Sequence, residues 1–248
     1  MKKEKSKKSI FKISVQFSKV SRGYANHGWL ESFHSFSFAG YHHPNRMNFG
    51  ALRVLNDDIV QPKMGFAAHQ HQHMEIISIP LKGALTHKDS MNHKKAIEVG
   101  EVQVMSAGTG ITHSEFNDSP TDEVHFLQLW IIPEHKNVTP SYTQKRFNLH
   151  KRDHAFQTLV SPNNALVSDS LGIHQQGYIH IGNFSKNSVA HHGVKPGNGS
   201  YIFLLQGEVE VCGEWLYKRD ALGVWDTDKL HIKVNEDSEI LIIDVPMY

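Results

Sequence analysis

Apolar and polar residues alternate with period two along much of the chain. In "FKISVQF" at the N-terminal end, Phe11, Ile13, Val15 and Phe17 fall on one face and Lys12, Ser14 and Gln16 on the other. Comparable short runs occur in "SFSFAGY", "ALRVLNDDIV", "MEIISIPL", "GALTHKDS", "EVQVMSAG" and "VHFLQLWIIP", with Gly, Pro, Asn and Asp between them. Few windows carry a helical period, so the pattern predicts an all-β sandwich or barrel. After Pro133 the apolar texture lapses into "EHKNVTPSYTQKRFNLHKRD", a polar stretch that reads as a connection. A second series of strands then begins: "QTLVSP", "NALVSDS", "QGYIHIGNF", "SYIFLLQGEVEVCGEWLY", "LGVWDT" and "EILIIDVP". "ISIPLKGALTHKDS" and "YIFLLQGEVEVCGE" share one layout, an apolar strand, a glycine turn and a second strand. The chain is therefore expected to form two β-barrel modules, residues 1–138 and 139–248, joined near residues 133–150.

Composition narrows the function classes. Lys+Arg number 26 against 25 Asp+Glu, and six of the basic residues are Lys2, Lys3, Lys5, Lys7, Lys8 and Lys12. The rest of the chain is mildly acidic, with no basic face suited to nucleic acid. A single cysteine, Cys212, precludes an internal disulfide and suits a reducing compartment. The basic start resembles the first part of a secretory signal, yet Lys12, Ser14, Gln16 and Ser18 break up the apolar core such a signal needs. No apolar run approaches the roughly 18 residues of a membrane-spanning helix. These features predict a soluble cytoplasmic protein with a solvated lysine tail and no membrane partner.

The candidate chemistry lies in "GFAAHQHQHMEI", residues 65–76. Nineteen histidines in 248 residues produce a His-x-His pair by chance, so the pair alone decides little. On a strand, residues i and i+2 share a face about 6.5–7 Å apart. His69 and His71 therefore face together, as would His73 and Glu75 if the strand ran straight through. A second pair, His113 and Glu115, lies just after the glycine-bearing turn "SAGTG". Two such pairs on neighbouring strands form a set of imidazole and carboxylate donors suited to iron(II), manganese, nickel, copper or zinc. Spacing alone leaves open whether His73 takes part and whether Glu75 or Glu115 supplies the carboxylate. It also leaves open a plain surface hydrogen bond between His113 and Glu115.

The motifs "GFAAHQHQHMEI", G-x5-S-A-G at residues 100–108 and "AGTGITHSE" together resemble the pirin family of the bicupin superfamily. The likeness is strongest to bacterial pirin-like proteins with quercetin 2,3-dioxygenase activity. It extends through "ANHGWLESFHSFSFAGY", "ALRVLNDD", "HKDSM" and "QLWIIPE", and more faintly through "ALGVWDT" and "SEILIIDVP". The resemblance implies two cupin-type jelly-roll barrels, with the metal in the N-terminal one and none in the C-terminal one. It assigns His69, His71, His113 and Glu115 as ligands of one divalent transition metal ion. Iron(II) comes first, with zinc, manganese, nickel, copper or cobalt as alternatives. It also makes Glu115 the catalytic base that takes the 3-hydroxyl proton of a flavonol before O2 opens the ring and carbon monoxide leaves.

The alternative within the same resemblance is a non-enzymatic, iron-dependent regulator acting through a protein partner. A monomer is expected in either case. His73 stands where relatives have glycine or aspartate. Gln70 and Gln72 replace the usual proline and basic residue, which puts the substrate in question rather than the ligands.

Other candidates fare less well on spacing. His42–His43 and His191–His192 are adjacent, so each pair points to opposite faces and suits a loop or surface. His174 and His180 lack a carboxylate at strand spacing. Cys212 reads as a small apolar residue within the strand "EVEVCGE". Trp130, Phe36 and Phe38 read as core, or as aromatic stacking surfaces at a barrel mouth.

Overall fold

The computed structural model describes residues 12–248, with side chains from Ser18 onward; the lysine tail and the facing pattern of "FKISVQF" lie outside the described residues. The fold is all-β, with two cupin-type barrels. Among the described residues the helical turns are three short 3-10 segments, Lys19–Ser21, Leu149–Arg152 and Asn163–Ala165. The first barrel combines a seven-stranded sheet with a four-stranded one. The larger sheet runs Ser141–Arg146, Glu101–Ser106, Glu75–Lys82, Val124–Ile131, Leu52–Val60, Leu30–His34, Gly23–Asn26. The smaller runs Gly65–His71, Ile111–Phe116, Ala84–Asp89, Lys94–Glu98. The second barrel is one nine-stranded sheet, because its central strands, Asn198–Val211 and Lys229–Pro246, are long enough to bend through both walls.

The two barrels turn this corner at corresponding glycines. Gly83 (φ 72°) separates Glu75–Lys82 from Ala84–Asp89, and Gly207 (φ 96°) bends Asn198–Val211. A Cβ on Gly207 would collide with Ser238 Oγ. Only glycine occupies both that conformation and that space without strain. The likeness between the two glycine-centred segments is thus structural.

The sheets do not part at residue 138. Lys12–Phe17 pairs with Ala221–Trp225 of the second barrel, and Ser141–Arg146 pairs with Glu101–Ser106 of the first. The polar stretch expected to be a connection contains that second strand. It is an edge strand with alternating exposed and half-buried residues, so it lacks the apolar signal of a central strand. Glu75–Lys82 is the opposite case. Six consecutive residues are buried because one face lines the barrel and the other meets the second module. The core between barrels draws Leu52, Ile77 and Leu127 from one side and Leu159, Tyr201 and Leu241 from the other. Cys212 is not within a strand. It takes φ 53° beside Gly213 (φ 84°) in the two-residue turn between Asn198–Val211 and Glu214–Tyr217.

Candidate metal centre

Along Gly65–His71 the expected alternation holds: His69 and His71 are half-buried, while Gln70 and Gln72 are exposed. The two glutamines therefore stand on the side away from the centre. Ile111–Phe116 lies antiparallel to this strand, with His113 opposite His69 and Ile111 opposite His71. The three imidazoles form a triangle with ring centroids 4.4 Å (His69–His113), 4.8 Å (His69–His71) and 4.9 Å (His71–His113) apart. Their ligand atoms all fall within 4.8 Å of one another.

His73 is outside this triangle. It adopts φ 53°, which ends the strand, and its Nδ1 accepts from the Asn137 backbone N–H at 3.4 Å. Histidine tolerates this left-handed conformation less easily than glycine or asparagine, but better than branched residues. Glu75 opens the next strand. Ile76 lines the site cavity and Ser78 bonds Glu115, so alternation turns Glu75 the other way, with Ile77 and Ile79. Its Oε2 accepts from Ser106 Oγ at 2.6 Å.

Glu115 is buried on the inner face, past a bulge that shifts the register between His113 and Glu115. Its Oε2 accepts from Gln128 Nε2 at 2.8 Å and Oε1 lies 3.3 Å from Ser78 Oγ. Burial pushes this carboxyl up to about 7 against the opposing effect of those hydrogen bonds. Its oxygen groups with His113 and His87 rather than with all three imidazoles of the triangle.

The donors fit a divalent transition ion. His113 Nε2 is buried with no hydrogen-bond partner, a costly arrangement unless another acceptor of its lone pair completes the site. His69 Nδ1 lies 2.7 Å from the Ala67 carbonyl, which fixes the ring as an Nδ1–H donor and leaves Nε2 as the lone pair. Burial, reinforced by the neighbouring imidazoles, lowers His113 to about 2 and His71 to about 4, so both stay neutral and available as ligands. Behind His113 sits His87, with its Nδ1 3.4 Å from His113 Nδ1 and its Nε2 3.0 Å from Asp89 Oδ2. Asp89 also accepts from the backbone N–H groups of Met91 and His93. Tyr142, from the edge strand, stacks on His87 and His93 at 4.6 and 4.8 Å. Sequence reasoning missed this support, although the His87-x-Asp89 spacing was its signal.

The triangle opens into a cavity of about 710 Å³. One wall is aromatic: Trp130 meets His71 at 4.9 Å and Phe38 at 5.3 Å, both edge to face, and Trp29 meets Phe66 at 5.2 Å. Phe36, in contrast, is fully buried against Tyr201 in the core between barrels. The other wall is polar. Ser32 faces Asp58 across the strand pair and bonds it, and His34 Nδ1 meets Asn56 Oδ1 at 2.9 Å. Burial, with the Asp57 and Glu115 charges adding to it, pushes Asp58 up to about 7. The signal for this wall was the polar "NDD" inside the strand Leu52–Val60, whose other residues apart from Arg53 are apolar.

Comparison with known proteins identifies the family. Residues 17–131 match the Pirin family model, and residues 158–245 match the quercetinase C-terminal cupin domain. A quercetin 2,3-dioxygenase of Escherichia coli K12 is 41% identical over 225 residues, covering 91% of this chain and 95% of that protein. A pirin-like protein of Caulobacter vibrioides is 38% identical over 90% of this chain and 95% of its own. The crystal structure of the bacterial pirin YhhW from Escherichia coli in complex with nickel(II) superposes with a TM-score of 0.89 at 38% identity, covering 96% of this chain and all of that one. With the matched domains, the doubled barrel and three convergent imidazoles in the first of them, the chain belongs to the pirin family of bicupins.

Proposed function

We propose that this protein is a metal-dependent dioxygenase that opens a flavonol, or a similarly planar chelating enol, with O2. The observation that carries the proposal is the imidazole triangle of His69, His71 and His113, with the buried, inward Glu115 carboxyl on the same strand as His113, lining a cavity with an aromatic wall. His69, His71 and His113, with Glu115, would hold the ion. Iron(II) is the first candidate, and nickel is the ion in the YhhW complex. When bound, such an ion supplies charge that favours the enolate and open positions for oxygen ligands.

The chain's own residues do the rest. Glu115 accepts the enol proton at a carboxylate oxygen. Gln128 and Ser78 hold the carboxylate in place, so the acceptor atom is positioned before substrate arrives. Trp130, Phe38 and Phe66 offer flat apolar surfaces to a planar ring system and displace water from it. Asn56, Asp58 and His34 present hydrogen-bonding groups to the substrate's polar edge. The overall reaction balances as flavonol plus O2 giving a ring-opened ester plus carbon monoxide.

The test is O2 uptake and carbon monoxide release by iron- or nickel-loaded protein across a panel of flavonols and enediols, with metal-free protein as reference. The proposal expects turnover that requires metal and yields one carbon monoxide per O2 with flavonols. Stoichiometric metal with no uptake on any substrate would favour the regulatory alternative.

A further inference from the structure

We propose that the second barrel contains a second divalent-metal site, formed by His180, His192 and Asp244. In this barrel the strand that corresponds to Gly65–His71 is Val189–Gly193. It precedes the Gly207 corner as Gly65–His71 precedes the Gly83 corner, and it carries His192 buried on its inner face. The facing segment of Lys229–Pro246 turns no donors inward to match His113 and Glu115. Leu230 stands opposite His192, and Ile232 opposite Ala190, both buried. A copy of the first centre therefore cannot form here.

Other donors come from the opposite wall. His180 lies on Tyr178–Phe184, opposite Ile242, and Asp244 is two residues beyond Ile242 and so shares its face. His192 Nε2 donates to Asp244 Oδ2 at 2.8 Å, and His180 Nε2 lies 3.6 Å from the same oxygen. The two rings are 4.9 Å apart, and all three ligand atoms fall within 4.8 Å of one another. His192 is therefore buried rather than at the surface, which corrects the expectation from spacing, and His180, without a carboxylate at strand spacing, meets one from another strand. Both depend on pairing between strands, which spacing along one strand does not register.

The groups around the three donors distinguish a metal site from a simple staple between sheets. A staple needs one imidazole on Asp244, whereas here a second imidazole converges on the same oxygen at more than hydrogen-bond distance. His180 Nδ1 is held by Thr158 Oγ1 at 3.1 Å, which leaves Nε2 directed at the cluster. Ser200 Oγ donates to Asp244 Oδ1 at 2.5 Å and orients the carboxylate, leaving Oδ2 toward the imidazoles. Outer hydrogen bonds of this kind are what fix ligands around a bound ion, as Ala67 does for His69 in the first barrel. The cluster faces a cavity of about 730 Å³, so an ion there would keep positions open to solvent or a small oxygen ligand. Two imidazoles and one carboxylate suit zinc, cobalt, nickel or iron(II).

The experiment titrates metal-free protein with Co(II) or Zn(II), following visible absorption for Co(II) and elemental analysis after desalting for both. Wild type is expected to retain about two equivalents, and a His71→Ala/His113→Ala variant about one. Adding His192→Ala to that variant should remove the remaining equivalent. Because His71→Ala/His113→Ala removes the first centre, failure of that centre and failure of the second are read separately. If the double variant misfolds by circular dichroism, His180→Gln in the otherwise wild-type chain serves instead, since it keeps the ring's approximate size. It is expected to lower the count from two to one. A folded double variant that retains no metal would overturn the proposal, as would an equivalent that survives His192→Ala or a wild-type count that His180→Gln leaves unchanged.

Discussion

Within the motif His-x-His-x-His, identity matters less than direction. His69 and His71 point inward with His113, while His73 leaves the strand at φ 53°. His71→Ala is therefore expected to remove the equivalent of metal held in the first barrel, and His73→Ala to leave it bound; equal loss from both would show that His73 has a partner in the centre. The acid side has its own signature. Burial raises both Glu115 and Asp58 to about 7 in the metal-free protein, above the range of about 4 they have when unfolded. The folded state then binds more protons than the unfolded state between those limits, so stability is present below about pH 4 and is lost as pH rises through about 7. His71 and His113, held neutral by burial, work in the opposite direction over the same range, so the two carboxyls are read as a downward contribution to the slope of melting temperature between pH 5.5 and pH 8 in metal-free protein. Glu115→Gln and Asp58→Asn should each shift that slope upward, and a slope unchanged in both would remove the burial argument.

At the level of strands, much of the first barrel was legible. Period-two alternation and glycine turns located most of its strands, because half-buried strands display their two faces in sequence. Ser141–Arg146 was hidden because an edge strand with little apolar area leaves no such pattern. The turn "SAGTG" was legible as a turn, and the structure shows what it holds together. Gly108 has φ 48°, its carbonyl accepts from the His73 N–H at 2.9 Å, and a Cβ there would collide with the Val138 carbonyl oxygen. Gly108→Ala must strain the backbone and displace the chain around Val138 as well. A loss of about 2–4 kcal/mol is expected by urea unfolding, and a change within about 0.5 kcal/mol would mean the turn yields freely. The carboxylate is a different lesson. Neither spacing nor composition distinguishes Glu75 from Glu115, because the difference is which face of Glu75–Lys82 meets the second barrel.

Across the whole molecule, the two barrels are joined by more than a connection. The first barrel takes Ser141–Arg146 from beyond residue 138, the second takes Lys12–Phe17 from before the first barrel, and the core between them is shared. Asp57 sits at the junction, where it accepts from His125 Nε2 at 2.6 Å and pairs with Arg22 at 3.2 Å and Arg219 at 3.5 Å. Although burial alone would raise it, the His125 hydrogen bond and the two guanidinium groups hold this carboxyl below its ordinary value. Its contribution is therefore present above about pH 4 and is lost in acid as pH falls through the lowered value. Asp57→Asn leaves buried cationic groups without their counter-charge, for a loss of about 3–5 kcal/mol near pH 7 that shrinks at low pH. Both barrels should unfold in one transition, and separate transitions by calorimetry would contradict the shared core.

The proposed chemistry stands on Glu115 being both the carboxylate of the metal centre and the base in turnover. Setting Glu115→Gln beside Glu75→Gln, with metal content and flavonol-dependent O2 consumption measured under identical loading, tests this without intermediaries. Glu115→Gln keeps the side chain's shape and an oxygen donor but removes the proton acceptor. It should retain most of its metal while losing about 10²–10⁴-fold in rate, and Glu75→Gln should remain active. A dead Glu75→Gln beside a normally active Glu115→Gln would contradict the assignment.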